Sequence, residues 1–99
     1  MAVYKLTNEA VNDLNQIWEY TIQRWSERQA DIYYNLLIES CQNIAENPNL
    51  GKNYDGIKPE LLGFKTNRHI IFYRKSSSEY IEITRILHER MDLKNKINE

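Results

Sequence analysis

At 99 residues, the chain has room for one domain spanning 1–99. Hydrophobic residues at 41% and charged residues at 27% are ordinary for a globular protein and exclude a disordered or fibrous one. No stretch reaches the roughly 18 to 20 continuous apolar residues of a membrane span, no signal-peptide pattern opens the chain, and the lone Cys41 excludes an internal disulfide. The expectation is a cytoplasmic protein.

The net charge of −1 hides an asymmetry. Residues 1–51 hold three basic and seven acidic side chains, a net of −4, whereas residues 52–99 hold ten and seven, a net of +3. Any anion-binding capacity therefore lies in the second half, at a level weak beside a dedicated nucleic-acid binder. Seven Tyr and two Trp are many for this length, and such amphipathic aromatics suit half-buried surfaces and protein interfaces.

In chain order, Ala2 to Leu6 alternates as a short strand. Thr7 or Asn8 can cap a helix, with Glu9 in its first turn where the helix dipole favours an acid. Ala10, Val11, Leu14, Ile17, Trp18, Thr21 and Trp25 recur at three- and four-residue spacing and predict one apolar stripe. Asn12, Asp13, Asn15, Gln16, Glu19 and Gln23 are assigned to the opposite side. The helix is expected to end near Arg24.

Ser26-Glu27-Arg28-Gln29 has the form of a capping box and starts a second helix. Its buried stripe is Ala30, Tyr33, Leu36, Leu37, Ser40, Ile44 and Ala45, with Trp18 and Leu36 facing each other across the pair. Cys41 reads as a small buried apolar residue. Asn47-Pro48 stops the helix, because a residue before proline avoids helical torsions. So short a junction forces an antiparallel hairpin.

Asn49 to Glu60 reads as a loop and Leu61 to Thr66 as a strand, with Asn67-Arg68 turning into His69. His69 to Lys75 and Tyr80 to Leu87 are rich in Ile, Phe, Tyr and Thr and predict two more strands. They join at Ser76-Ser77-Ser78. An even connection, the reading adopted, puts Ile70 and Phe72 on the face of Ile81 and Ile83; an odd one puts Ile71 and Tyr73 there. The tail frays beyond Leu93. The order is β-α-α-β-β-β. The fold class is α+β, with an N-terminal strand and an antiparallel helical hairpin packed on a small, mainly antiparallel sheet.

No strong catalytic or metal motif is present, and no cofactor is expected. Arg68, Arg74, Arg85, His88 and Arg90 are nevertheless threaded through apolar strands, and guanidinium groups resist burial unless paired. One reading gives them structural ion pairs, with Arg85 and Arg90 reaching Glu82, Glu89 or Asp92. The other makes one sheet face and its end a site for an anionic partner. As a phosphodiester-cleaving site it would use His88 and Tyr73 for proton transfer and Arg85 for charge stabilisation, with Lys52, Lys58 and Lys65 nearby in sequence.

Four segments carry a family resemblance: YKLTNEAVNDLNQIWEYTIQRWSERQADIYY, the helix exit AENPNLGK, RHIIFYR, and ITRILHERMD. Together they resemble the ParE branch of the RelE/ParE toxin superfamily, in the right order over nearly the whole chain. The resemblance implies a plasmid-stabilisation type of bacterial type II toxin–antitoxin system. It implies a toxin that inhibits DNA gyrase by protein–protein contact, without catalysis of its own, and that is neutralised by a ParD-like antitoxin in a hetero-oligomer. Arg74, Arg85 and Tyr73 are the residues expected to meet an acidic antitoxin segment. Leu87, His88, Arg90, Met91 and Asp92 match the part of the family associated with toxicity and are expected to meet the target. The segment IKPELLGFKTNRH lacks the usual Arg-rich run, so no contact is carried over there. The enzyme alternative is a RelE-like ribosome-dependent mRNA endoribonuclease using Arg85, His88 and Tyr73. A third class is an inactive remnant that only binds antitoxin.

Overall fold

The computed structural model describes residues 3–76 and 80–98. Strand β1, Tyr4–Leu6, leads into helix α1, Asn8–Arg24, and helix α2, Glu27–Glu46. After a 3-10 turn at Pro48–Leu50 come strands β2, Lys52–Asn53; β3, Leu62–Thr66; β4, His69–Lys75; and β5, Ile81–His88. A last helix, α3, spans Leu93–Ile97. The five strands form one sheet in the order β1-β5-β4-β3-β2, antiparallel except where β1 runs parallel to β5. The expected α+β plan holds, with two additions. Lys52–Asn53 makes a short edge strand inside the expected loop, and the tail folds back as α3.

The helix boundaries follow from local chemistry. Thr7 Oγ1 accepts the N–H of Ala10, and Ser26 Oγ accepts that of Gln29, so each hydroxyl satisfies a first-turn donor that has no partner within its helix. Asn47 leaves helical torsions before Pro48 and caps the next turn. The two-residue turn Asn67-Arg68 places Asn67 at φ 53°, a left-handed conformation that Asn tolerates better than most side chains.

Two apolar clusters lie on opposite faces of the sheet. Beneath the hairpin, Ala10, Leu14, Leu37, Cys41 and Ile44 meet Ile71, Tyr73, Ile81, Ile83 and Ile86. On the other face, Leu61, Ile70, Phe72 and Leu87 are covered by Tyr54, Ile57, Leu93 and Ile97. This corrects the register adopted from sequence. Lys75 pairs with Ile81 across five intervening residues, an odd connection, so Ile71 and Tyr73 share the face of Ile81 and Ile83. Ser77 and Ser78, within that connection, lie outside the described residues. A bulge then intervenes: Phe72 pairs with Arg85 but Tyr73 with Ile83, so Thr84 is extra. The additional residue lets Ile86 return to the face of Ile83, three positions earlier, which strict alternation forbids.

The helical stripe needs correction as well. Asp13, assigned to the solvent side, is buried, whereas Val11 and Trp25 are exposed. Trp18 is only half-buried; its indole N–H donates to Asp31 Oδ1 at 3.2 Å, and Leu36 is half-buried too. Leu14 and Leu37 occupy the central positions instead. Among the described residues no helix is long and apolar enough to cross a membrane.

Tyr73 is fully buried, and its hydroxyl donates to Pro48 O at 2.7 Å and accepts the Gly51 N–H at 2.8 Å. It thereby fastens the exit of α2 to the middle of the sheet. A Cβ at Gly51 would run into that hydroxyl, so the close approach requires glycine. Two stability outcomes follow for denaturant unfolding. Leu37→Ala should cost about 2 to 5 kcal/mol, as buried Leu truncations do, and more than Trp18→Ala. Tyr73→Phe should cost about 1 to 3 kcal/mol, because it leaves a carbonyl and an amide without their partner.

Candidate functional site

The cations singled out in the sequence divide between two grooves. On the open face of the sheet, a groove of about 540 Å³ is lined by Thr7, Glu9, Lys58, Arg74, Glu82, Thr84, Arg85 and Lys96, among others. Around the end of the sheet, a groove of about 980 Å³ runs between Ile17, Tyr20, Thr21 and Trp25 on one side and Arg68, His69, His88, Arg90 and Met91 on the other. Tyr33 lines the same groove.

In the first groove the arginines are paired. Arg74 Nε donates to Glu82 Oε1 at 2.7 Å across β4 and β5, with more than half of its side chain still exposed. Arg85 is held far more tightly. Its Nε and Nη2 donate to the two carboxylate oxygens of Asp13 at 2.8 and 3.0 Å, and its Nη1 donates to Lys96 O at 2.7 Å. This fork-on-carboxylate geometry is the strong form of an ion pair, and little of either side chain is exposed. Arg85 is therefore tethered within the fold, and its partner is Asp13 rather than Glu82, Glu89 or Asp92. Tyr73, buried beneath the hairpin, is likewise withdrawn from any contact surface.

At the sheet end, hydrogen bonds and ring contacts set the geometry. His69 and His88, paired across β4 and β5, stack edge to face with centroids 5.2 Å apart. Tyr33 Oη lies 2.6 Å from His69 Nδ1 in a hydrogen bond. Burial, and secondarily the positive form of His88, lowers the His69 pKa to about 4, while burial raises that of Tyr33. His88 Nδ1 accepts the Arg90 N–H at 3.1 Å. Lys65 Nζ lies 2.8 Å from Glu89 Oε1, and this hydrogen bond is the main cause of the lowered Glu89 pKa. Arg68 adds a longer contact of 3.9 Å to the same carboxylate.

Three of the five expected target contacts, His88, Arg90 and Met91, line this groove. Two do not. Leu87 is buried against Phe72 on the open face, and Asp92 caps α3, accepting the Asn95 N–H at 3.4 Å. The nuclease trio is dispersed: Tyr73 faces the hairpin, Arg85 is locked to Asp13, and His88 stacks on His69. Trp25 and Tyr20, 74% and 57% exposed, were missed as surface aromatics because helical spacing assigned Trp25 to the core. The signal that could have marked Trp25 is its place at the hairpin tip, directly before the Ser26 cap. Cys41 sits fully buried, its thiol pushed up to about 12 by burial, which makes it an inert packing residue.

The His69 environment predicts a pH dependence. With a folded value of about 4 against an ordinary 6.5, the unfolded chain binds the proton more readily. The contribution of His69 to stability is complete above pH 6.5 and is lost as pH falls from 6.5 to about 4. Thermal melts across that window should show His69→Gln with a flatter pH profile than wild type.

Comparison with known proteins accords with this fold. Residues 4–93 match the family described as ParE toxin of type II toxin-antitoxin system, parDE. Toxin ParE1 of Mycobacterium tuberculosis is 34% identical over 90 residues, covering 91% of this chain and 92% of its own. Toxin ParE1 of Caulobacter vibrioides is 34% identical over 92 residues, at 93% and 94% coverage. Toxin ParE of Escherichia coli is 31% identical over 97 residues, at 98% and 94%. A chain of the chromosomal ParDE TA system from P. aeruginosa superposes with a TM-score of 0.76 at 19% identity, over 89% of this chain and 96% of that one, a likeness of fold. With four-fifths or more of each sequence aligned and the helical hairpin packed on its sheet, the chain belongs to the ParE toxin family of type II toxin–antitoxin systems.

Proposed function

We propose that this single-domain chain is a cytoplasmic bacterial toxin that inhibits DNA gyrase by protein–protein contact and is neutralised by a ParD-like antitoxin in a hetero-oligomer. The observation that carries the reading is the groove at the sheet end. Trp25, Tyr20 and Met91 stand exposed around it, with Arg68 and Arg90 at its edge. Large rigid aromatics beside arginine are the side chains that dominate protein–protein contacts, because they bury much area with few torsions to immobilise. His88, Arg90 and Met91 would meet the target there, and Trp25 would anchor it.

An acidic, amphipathic antitoxin segment suits the open face of the sheet. Arg74 keeps an exposed side chain despite its pairing with Glu82, and Lys58 lines the same groove. Exposed charges of this kind steer encounter more than they hold the complex. Raising salt should therefore slow antitoxin association more than it speeds dissociation, as read by stopped-flow or surface-binding kinetics. A salt-independent association rate would point to a purely apolar interface.

The target is tested with purified full-length protein in two parallel assays, gyrase supercoiling and mRNA cleavage on ribosomes. Wild type should inhibit supercoiling. Trp25→Ala and Arg90→Ala should each weaken that inhibition by roughly tenfold, the usual scale for an interface anchor. Site-specific mRNA cleavage abolished by His88→Ala, with gyrase unaffected by wild type, would replace this reading with the endoribonuclease one.

A further inference from the structure

Three backbone and side-chain donors converge on one buried acid. The Asp13 carboxylate accepts Arg85 Nε at 2.8 Å, Arg85 Nη2 at 3.0 Å and the backbone N–H of Ile86 at 3.0 Å. The remaining arm of the same guanidinium, Nη1, donates to Lys96 O in α3 at 2.7 Å. Helix α3 has five residues and none of them is buried. A helix that short does not hold itself together in water. Among the described residues its attachments include the Asp92 cap, the contact of Leu93 and Ile97 with the Phe72 and Leu87 cluster, and the Arg85 bond.

The segment that carries Arg90 and Met91 spans the gap between β5 and α3. Asp13 holds β5 directly at Ile86 N, three residues before the turn, and through Arg85 holds the Lys96 carbonyl near the far end of α3. We propose that Asp13 is a positioning residue: acting through Arg85, it ties the strand before the 89–92 turn to the helix after it and so sets where Arg90 and Met91 stand in the sheet-end groove. Its consequence for gyrase rests on the function proposed above. The planar fork of arginine is essential to the device, since one cation must serve a carboxylate and a carbonyl at once, a geometry that lysine cannot supply.

The test uses the full-length chain with Asp13→Asn and Arg85→Lys, read by amide hydrogen exchange and by gyrase inhibition. The α3 amides of Lys96 and Asn98, bonded to Asp92 O and Lys94 O, should exchange roughly ten- to a hundredfold faster in both variants, the scale of losing a charged hydrogen bond. Amides of β4 should keep their wild-type protection, and inhibition should fall by a similar factor. Leu93→Ala loosens α3 from its apolar side without touching the ion pair, and should reproduce both effects. Wild-type protection of α3 in Asp13→Asn and Arg85→Lys would overturn the proposal. So would acceleration spread evenly over α3 and β4, or failure of both variants to fold, because either marks a general stabiliser. If wild type does not inhibit gyrase, the functional reading falls, and the exchange pattern still decides the role of Asp13.

Discussion

The bulge at Thr84 is the constraint on which the rest of the molecule depends. A regular β5 would send Ile81 and Ile83 to one face and Ile86 to the other, leaving the hairpin without one of the four isoleucines of its floor. One inserted residue restores Ile86 to the helical side and turns Leu87 toward Phe72. The insertion disrupts the ladder locally, and α1 supplies the missing partners. Thr7 Oγ1 donates to Thr84 O at 2.8 Å, and the Asp13 carboxylate accepts Ile86 N. Helix α1 is thus registered against the sheet by hydrogen bonds at both of its first turns, not by apolar packing alone.

The same arrangement explains why so many arginines sit in apolar strands. Arg85 is tolerated because Asp13 and the Lys96 carbonyl satisfy its donors in a place where water has little access. Arg74 is an exposed cross-strand pair with Glu82, and such pairs contribute little to stability. Arg68 and Lys65 share Glu89 at the rim. Of the three excess positive charges of the second half, that of Arg85 is offset by Asp13 of the first, and Glu82 and Glu89 sit directly on Arg74, Lys65 and Arg68, so the cations bordering the sheet-end groove act beside exposed aromatics, not as a broad basic field. That balance suits a protein contact better than a polyanion track.

The histidine stack ties the groove to the core. His69 is kept neutral by burial and holds Tyr33 of α2, while His88 rests on its edge and takes the Arg90 amide. The groove floor is consequently built from both layers of the fold. A ligand on it would sense the relative placement of α2 and β5, which gives the Tyr33–His69 bond a mechanical as well as a polar role.

The amino-acid order by itself determined the α+β class, the limits of both long helices, the His69–Lys75 strand and the family. These rest on local chemistry: Thr7 and Ser26 as caps, Pro48 as a stop, β-branched and aromatic runs, and the four matching segments. Only the tertiary structure decided the register of β4 on β5, the burial of Asp13, the fate of Tyr73 and Arg85, and the folding of α3. Both registers of β4 present an apolar pair, Ile70 with Phe72 or Ile71 with Tyr73, so periodicity could not choose between them. Asp13 reads as solvent-facing because its partner lies 72 positions away in sequence. Helix α3 has too few residues to announce itself, and exists because Leu93 and Ile97 find a sheet face already formed by distant strands. Local propensity writes the elements; which buried polar group meets which is a property of the closed fold, where long-range partners replace water.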